Sequence, residues 1–188
     1  MRVKRESLLG HKGAVLWLTG LPGAGKSTLA AGLEQRLLDR RILAAVIDGD
    51  VLRAGLSRDL GFTPEGRREN IRRATEVALH LAEAGLVAIV ALISPLSADR
   101  ETAAARVRGR GVRFSEVFVN APLAVCEQRD PKGHYKRARA GEIAAFTGIN
   151  APYEAPLAPE FELHTDTESI EESLDRLAPF AASLVALP

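Results

Sequence analysis

The feature that most restricts the fold of this chain is the segment 20–27, which reads Gly-Leu-Pro-Gly-Ala-Gly-Lys-Ser. It fits the pattern G-x-x-x-x-G-K-[ST] and lies between an apolar run, 14–19, and a stretch, 26–40, that has leucine at every fourth position. A glycine-rich loop in that place turns backbone N–H groups towards phosphate oxygens at the N-terminus of a helix. The segment therefore predicts a nucleoside triphosphate site, with Lys26 on the β- and γ-phosphates and Ser27 on Mg²⁺.

Apolar runs alternate with stretches of helical period along the rest of the chain, as in a parallel sheet covered by helices on both faces. The predicted strands are 14–19, 43–48, 86–93, 114–119 and 161–165, and the predicted helices include 26–40 and 64–84. A further apolar stripe from Ile170 to Leu184 predicts a C-terminal helix that Pro179 should kink or end. We expect an α/β, three-layer P-loop NTPase fold with a mostly parallel central sheet, helices on both faces and a lid segment.

The length of the chain predicts its domain organisation. A chain of 188 residues and 20.2 kDa fits one domain, so we expect residues 1–188 to form a single kinase-like unit. Within it, the stretch 129–159 follows neither the strand nor the helix period and is rich in proline and glycine. Long irregular stretches inside compact domains are usually functional, so this stretch is the predicted lid.

Charge and cysteine content exclude several classes of function. The net charge of +1 gives no basic field for general nucleic-acid binding, and an arginine-rich stretch after residue 99 is interpreted as a solvated helix face. Its members are Arg100, Arg106, Arg108, Arg110 and Arg113. The single cysteine, Cys126, allows no internal disulfide, the charged start does not resemble a signal peptide, and the longest apolar run is too short to span a membrane. We expect a cytoplasmic protein whose partners include neither nucleic acid nor membrane.

Two carboxylates follow the second predicted strand, which ends in Asp48-Gly49-Asp50 at the edge where open α/β sheets bind ligands. A carboxylate there can accept the proton of an attacking hydroxyl or hold water on Mg²⁺, and Arg53 can hold an anionic acceptor. The third strand ends without an acidic residue, and no N-K-x-D or T-K-x-D reader of guanine follows a later strand. The aspartates therefore predict the metal's carboxylate, although either one can also serve as a helix N-cap.

Further motifs follow in order along the chain. They are Asp59-Leu60-Gly61-Phe62, Arg67 with Glu69-Asn70-Ile71-Arg72-Arg73, Ile93-Ser94-Pro95 with Asp99-Arg100, and the stretches 117–123, 126–136 and 146–154. Together with Asp48-Gly49-Asp50 they resemble the adenylylsulfate kinases, the APS kinases of sulfate assimilation. The resemblance covers about residues 13–177, and its distal motifs are more specific than the phosphate loop, which many activities share.

The resemblance implies a transferase that moves the γ-phosphoryl group of ATP to the 3′-hydroxyl of adenosine 5′-phosphosulfate (APS). The products are 3′-phosphoadenosine 5′-phosphosulfate (PAPS) and ADP, and Mg²⁺ accompanies ATP as cofactor. The catalytic roles fall to Lys26, Asp50, Asp48 and Ser94, and the metal to Ser27 and Asp50. ATP binding falls to Gly20, Gly23, Ala24, Gly25, Lys26, Ser27 and Thr28. APS binding falls to Asp50, Arg53, Phe62, Arg67, Asn70, Ile93, Ser94, Lys132, Ala145 and Phe146. The resemblance also implies a homodimer and a functional link to ATP sulfurylase.

Several of these residues have a second interpretation. Phe62 and Phe146 would stack on the acceptor adenine or anchor the core, and Lys132 would reach anions from the lid or lie on the surface. Asp50 is favoured over Asp48 as the carboxylate that orients or deprotonates the 3′-hydroxyl. The serine that matches Ser94 is often assigned a phosphorylated intermediate in bacterial members of the family. Direct in-line transfer needs no covalent serine, and the position before a proline suits a turn or an acceptor contact equally well.

Two other functions stay open. A P-loop kinase for another small hydroxyl acceptor is one, and the paired phenylalanines and the lid motif count against it. A nucleotide-gated regulatory module is the other, and the intact set of Lys26, Ser27 and the two aspartates counts against it. The chain departs from the family pattern at Pro22, Leu96, His134 and Asn150.

Overall fold

The computed structural model describes residues 2–187, so Met1 and Pro188 lie outside the described residues. Its sheet has five strands: β1 (Ala14–Thr19), β2 (Ala44–Asp48), β3 (Val87–Ala91), β4 (Arg113–Asn120) and β5 (Phe161–His164). The strand order is β2-β3-β1-β4-β5, and every pair of neighbours is parallel. The five predicted strands are confirmed within a few residues, and the sheet is wholly rather than mostly parallel. The central strand, β1, is buried along its whole length.

Helices cover both faces of the sheet. They are α1 (Arg2–Leu9), α2 (Lys26–Asp39), α3 (Gly49–Ala54), α4 (Pro64–Ala84), α5 (Ser97–Arg108), α6 (Leu123–Arg129), α7 (His134–Arg139) and α8 (Ile170–Val185). Helices α2 and α8 bury leucines such as Leu33 and Leu177 with Leu16 and Ile89 on one face, whereas α4 and α5 pack around Trp17 on the other. This arrangement confirms the three-layer α/β fold.

The bounds of α4 follow from its end residues. Thr63 is the N-cap, and its side chain accepts a hydrogen bond from the backbone N–H of Gly66. Pro64 takes the first helical position, where no backbone donor is needed. Gly85 ends the helix in the left-handed region at φ 106°. The predicted helix 64–84 is therefore confirmed at both ends.

Helix α8 corrects one expectation. The helix begins at a capping box formed by Ser169 and Glu172, as its polar start suggests. It then continues through Pro179 to Val185, so of the two expected outcomes, a kink or an end at Pro179, the end is wrong. Pro179 lies on the exposed side, and the buried residues Leu177 and Ala181 on either side of it pack in the core. Their packing outweighs the one backbone hydrogen bond that proline removes.

The arginine-rich surfaces are largely neutralised by neighbouring carboxylates. Arg73 of α4 pairs with Asp59 and Glu69, and Arg106 of α5 pairs with Glu76. The interpretation as a solvated face holds for Arg106 but is wrong for Arg100, which is only 3% exposed.

No helix within residues 2–187 combines the length and apolar character that crossing a membrane requires.

Candidate active site

The phosphate loop joins β1 to α2 and holds its lysine in a defined position. The Nζ atom of Lys26 donates to the carbonyl oxygens of Gly20 at 2.9 Å and Leu21 at 2.8 Å. A Cβ atom at Gly20 would lie 2.4 Å from the carbonyl oxygen of Val119, so the backbone of β4 leaves room only for glycine there. Burial lowers the pKa of Lys26 to about 8, with the nearby carboxylates of Asp48 and Asp50 opposing that shift.

Asp48 connects the end of β2 to the phosphate loop. Its Oδ2 atom accepts a hydrogen bond from the Ser27 hydroxyl at 2.6 Å, and its Oδ1 atom accepts one from the backbone N–H of Asp50 at 2.8 Å. Asp48 is thus the N-cap of α3 and also lines the cavity, so capping leaves its predicted role in the site open. The sequence paired Ser27 with Asp50 as metal ligands, whereas the structure places the Ser27 hydroxyl against Asp48.

Asp50 points to Lys132, in the predicted lid 129–159, rather than to Ser27 of the phosphate loop. Its carboxylate forms an ion pair with Lys132, and its side chain keeps 69% of its exposure while that of Lys132 keeps 52%. An exposed ion pair of this kind contributes little to stability. Both groups are therefore free to exchange partners when an anion or a hydroxyl group enters.

One cavity of about 1400 Å³ collects nearly all the predicted site residues. Its lining includes Gly23, Ala24, Gly25, Lys26, Ser27, Thr28, Asp48, Asp50, Arg53, Phe62, Arg67, Asn70, Ile93, Ser94, Lys132, Ala145 and Phe146. Gly20 is the exception, because it supports the loop from behind through its contact with β4. Its volume exceeds the roughly 300–1,000 Å³ of a usual small-molecule site, so it has room for more than one ligand.

The acceptor end of the cavity, as we call the part lined by Arg53, Phe62, Arg67 and Asn70, is rich in positive charge. The Arg53 guanidinium lies 4.3 Å from the centre of the Phe62 ring. Arg67 donates to the carbonyl oxygen of Phe62 at 3.0 Å and to the Thr147 hydroxyl at 2.8 Å. Burial lowers the pKa of Arg53 and of Arg67 from the ordinary value, and the proximity of Arg67 adds to the shift at Arg53. An anion bound between the two guanidinium groups would offset their burial and their mutual repulsion.

Asn70 brings an unused hydrogen-bonding atom to the same end. The residue is 4% exposed, and its Oδ1 atom has no hydrogen-bond partner among the described residues. A buried acceptor without a donor costs free energy, so such groups mark places where a ligand or water completes the structure. The amide of Asn70 is therefore available to a hydroxyl or amino group of a bound molecule.

The two phenylalanines differ in their surroundings. Phe62 is 62% exposed at the mouth of the acceptor end. Phe146 is 9% exposed and packs edge-on against Tyr135, with ring centres 4.8 Å apart, while one part still lines the cavity. Phe146 therefore anchors the core and also reaches the cavity, and Phe62 is free to stack on a ring that enters the cavity.

Ser94 occupies a strained turn after β3. Its φ angle is 39°, and the residue is 3% exposed. Its hydroxyl accepts a hydrogen bond from the indole N–H of Trp17 at 2.9 Å and donates to the carbonyl oxygen of Leu92 at 3.2 Å. A hydroxyl engaged on both sides and buried is poorly placed to attack a phosphoryl group.

The donor end of the cavity, lined by Arg129, Thr165, Glu168 and Ile170 beyond the phosphate loop, contains residues that the sequence analysis missed. Arg129 donates to the carbonyl oxygens of Gly23 and Thr165, and the Thr165 hydroxyl donates to that of Ala24 at 2.8 Å. These bonds tie the ends of α6 and β5 to the phosphate loop. Because the residues follow no local pattern, only the assembled fold brings them together.

Comparison with known proteins gives a consistent result. Residues 12–164 match the family described as adenylylsulphate kinase. The structure of the Mycobacterium tuberculosis APS kinase CysC in complex with AMPPNP and APS is 46% identical, with a TM-score of 0.87, and the match covers 89% of this chain and 96% of that one. A second structure of that kinase, a Cys556Ala mutant, is 34% identical with a TM-score of 0.70, covering 89% of this chain and 96% of that one. The hexameric APS kinase from Thiobacillus denitrificans is 29% identical with a TM-score of 0.68, covering 89% of this chain and 28% of that one. The chain belongs to the adenylylsulphate kinase family.

Proposed function

We propose that this adenylylsulfate kinase transfers the γ-phosphoryl group of Mg²⁺-ATP to the 3′-hydroxyl of APS inside the 1400 Å³ cavity. The observation that carries the proposal is the division of this cavity. A phosphate loop with its lysine lies beside the donor end, and two arginines with an exposed phenylalanine form the acceptor end. Asp50, which pairs with Lys132, is near both Lys26 and Arg53. Phosphoryl transfer depends mainly on positioning and charge neutralisation, which this arrangement supplies.

ATP fits the donor end with its phosphates on the loop 23–28 and its base towards β5 and α8. The N–H groups at the start of α2 and the Lys26 ammonium face the phosphates. The exposed side chain of Ile170 and the planar guanidinium of Arg129 offer surfaces for the base. The structure of the Mycobacterium tuberculosis relative with AMPPNP supports an ATP-type donor for this chain.

The residues around Ser27 suit the magnesium ion that accompanies ATP. Mg²⁺ prefers oxygen ligands and is usually bound through one or two carboxylates together with substrate phosphates. The Ser27 hydroxyl, Asp48 and Asp50 provide such oxygens at the rim of the phosphate loop. Ser27 would hold the ion, with Asp48 or Asp50 as the carboxylate, and the bound ion would neutralise charge on the transferring phosphoryl group.

Asp50 is the carboxylate that we assign to the 3′-hydroxyl. Both oxygens of Asp48 already accept hydrogen bonds, whereas the Asp50 carboxylate faces the lid lysine across the cavity. When the acceptor enters, Asp50 orients its hydroxyl and takes its proton, and Lys132 turns to the phosphate charge. The buried hydroxyl of Ser94 supports direct transfer with no phosphoserine.

APS fits the acceptor end through charge and stacking. Its phosphosulfate group would face Arg53 and Arg67, whose guanidinium groups are partly buried and close enough to repel each other. Phe62 would stack on the adenine from the exposed side, and Phe146 would close the other side. Asn70 would accept a hydrogen bond with its free Oδ1 atom.

Phosphate transfer from γ-labelled ATP tests this function. The protein is incubated with Mg²⁺ and either APS, AMP or no acceptor, and Asp50→Ala is compared with Asp39→Ala, which removes an exposed aspartate at the end of α2. We expect labelled PAPS with APS alone, nearly lost in Asp50→Ala and normal in Asp39→Ala. Tight ATP binding without transfer to APS would move the assignment to another hydroxyl acceptor or to a regulatory role.

The assembly and setting of the enzyme are part of the proposal. The family resemblance supports a homodimer that works in the cytoplasm together with an ATP sulfurylase, the enzyme class that forms APS from ATP and sulfate. Light scattering coupled to gel filtration tests the dimer, and a coupled assay starting from ATP and sulfate tests the link. A measured mass equal to that of a monomer would contradict the proposed dimer and would not affect the proposed kinase reaction.

A further inference from the structure

Arg100 is a buried arginine of α5 whose guanidinium connects three separate segments. Its Nε atom donates to Glu116 Oε1 at 2.6 Å, its Nη1 atom to the carbonyl oxygen of Ser94 at 2.8 Å, and its Nη2 atom to that of Glu154 at 2.8 Å. The side chain is 4% exposed, and the carboxylate of Glu116 on β4 supplies the opposite charge that burial demands. One planar group therefore holds β4, the turn after β3 and the C-terminal part of the lid.

The turn 93–95 lines the cavity with all three of its residues, and it forms one wall of the acceptor end because β3 pairs with β2 up to Asp48 and Ala91 and so brings the turn beside α3. Ser94 has a positive φ angle, a strained conformation that persists only where the surroundings fix it. Trp17 binds the Ser94 hydroxyl, and the Thr19 hydroxyl donates to the carbonyl oxygen of Ile93 at 2.7 Å. Arg100 completes this set from the α5 side, at the carbonyl oxygen of Ser94.

The C-terminal part of the lid rests on the same turn. The backbone N–H of Glu154 donates to the carbonyl oxygen of Pro95 at 2.8 Å, and the Glu154 carboxylate accepts two hydrogen bonds from Ser97, each at 2.7 Å. Next to it, the Tyr153 hydroxyl lies 3.1 Å from that of Thr19. We call residues 153–154 the lid anchor. Arg100 binds the lid anchor and the acceptor wall at once.

We propose that Arg100 is a positioning residue for the acceptor: it fixes the wall 93–95 and the lid anchor relative to each other, so that APS binding depends on it although it touches neither substrate. The inference rests on the proposed function, which assigns this end of the cavity to APS. The donor end and the phosphate loop draw their residues from α2, α6, the turn after β5 and α8, whereas the side-chain hydrogen bonds of Arg100 go to Ser94, Glu116 and Glu154. Replacement of Arg100 should therefore impair the kinetics with APS and leave those with ATP nearly unchanged.

Replacement of Arg100 by lysine tests the inference with the charge kept. A lysine can still pair with Glu116, but its single ammonium group does not reproduce a planar fork that reaches three oxygens in different directions. Arg106→Lys is the matched control, because Arg106 lies on the same helix, is 48% exposed and pairs with Glu76. Rates are measured with APS varied at saturating ATP and with ATP varied at saturating APS.

We expect Arg100→Lys to lower kcat/KM for APS by about 10- to 100-fold, because small displacements of a binding wall have effects of that size. The KM for ATP should stay within about twofold in Arg100→Lys, and both constants should stay near the wild-type values in Arg106→Lys. Equal losses for both substrates, or no loss for APS, would overturn the positioning role while leaving the kinase function standing. A wild-type protein that transfers nothing to APS would overturn both.

Trp17 provides a second readout, because it is the single tryptophan of the chain, is fully buried and binds Ser94 directly. Addition of APS in the presence of ADP, which has no phosphoryl group to transfer to it, should change the tryptophan emission. The half-saturating APS concentration should rise about 10-fold or more in Arg100→Lys and not in Arg106→Lys.

Glu154→Ala keeps the inference testable if Arg100→Lys fails to fold. Glu154 is exposed, and its carboxylate holds the lid anchor to Ser97. Its loss should raise the KM for APS by about threefold and leave the KM for ATP unchanged. An unchanged KM for APS in Glu154→Ala would count against the proposal as directly as an unchanged Arg100→Lys.

Discussion

The donor and acceptor ends of the cavity are built in different ways. The donor end adjoins the phosphate loop, consecutive residues 23–28 whose backbone N–H groups and helix start suit phosphates. The acceptor end takes its lining from α3, the loop before α4 and α4 itself, with the turn 93–95 beside them, and it is held by side chains that reach backbone atoms, such as Arg67 to Phe62 and Arg100 to Ser94. The comparison shows that a phosphate site can be recognised from a local sequence pattern, whereas an acceptor site depends on how loops pack against one another.

The comparison predicts its largest effect at the two lysines. Lys26→Ala should lower kcat by about 10²–10³-fold, because it removes a fixed charge from the transferring phosphoryl group. Lys132→Ala should raise the KM for APS by about 10-fold and change kcat less, because this lid lysine is half exposed and already shares its charge with Asp50. Steady-state kinetics with both substrates measure the contrast. Equal effects at the two positions would break the division between a fixed donor end and an adaptable acceptor end.

Asp48 and Asp50 provide the next test of this comparison, because they lie where the donor and acceptor ends of the cavity meet. Asp50→Asn should lower kcat by about 10²-fold, since it removes the proton acceptor, and should weaken Mg²⁺-ATP binding less than Asp48→Asn does. Asp48→Asn should also weaken Mg²⁺-ATP binding, because Asp48 holds the Ser27 hydroxyl. Calorimetric titration of each variant with Mg²⁺-ATP separates them. Loss of ATP binding in Asp50→Asn alone would reverse the assignment.

The phenylalanines should separate binding from stability. Phe62→Ala should raise the KM for APS by about 10-fold through lost stacking, and change the free energy of unfolding by less than about 0.5 kcal/mol. Phe146→Ala should lower the free energy of unfolding by about 3–5 kcal/mol as well, because its ring packs in the core against Tyr135. Urea unfolding of both variants provides the measurement. A stability loss in Phe62→Ala would show that its ring is a core anchor after all.

The pKa of Lys26 gives the smallest predicted effect. In the free protein this pKa is lowered to about 8 by burial, and bound phosphates favour the charged form and raise it. ATP binding should therefore take up little proton at about pH 7 and close to one proton at about pH 9.5, with affinity falling as the pH rises through about 8. Calorimetry in buffers of different ionisation enthalpy measures the uptake. Lys26→Arg should abolish it, because arginine stays charged throughout this range.

Local signals were sufficient for much of the fold. Thr63, Pro64 and Gly85 fix both ends of α4 by capping and by backbone conformation, all within a few residues of sequence. Pro179 misled because its cost is local, whereas the packing of Leu177 and Ala181 that overrides it is tertiary. Patterns of local origin thus predict elements well except where the core reverses them.

Site residues were predicted best where they form one contiguous pattern in the sequence. The phosphate loop is a contiguous pattern, and the acceptor residues came from resemblance to a family. The pairing of Ser27 with Asp48 was missed because β2 is separated from β1 by β3, an order that sequence does not reveal. Arg100 was misread because its counter-charge, Glu116, lies on another element 16 residues away. Arg129 and Thr165 reach the donor end only through tertiary bonds.

The position of β1 at the centre of the sheet has a practical consequence for redesign. Strands β3 and β2 lie to one side of it with the acceptor turns, and β4 and β5 lie to the other with the donor segments. An engineer who wants this scaffold to accept a different alcohol can rewrite the turns after β2 and β3, together with the start of α4. The ATP-binding segments on the other side of β1 can stay unchanged. The predicted lid borders both ends of the cavity, so it has to be altered to fit each new pair of substrates.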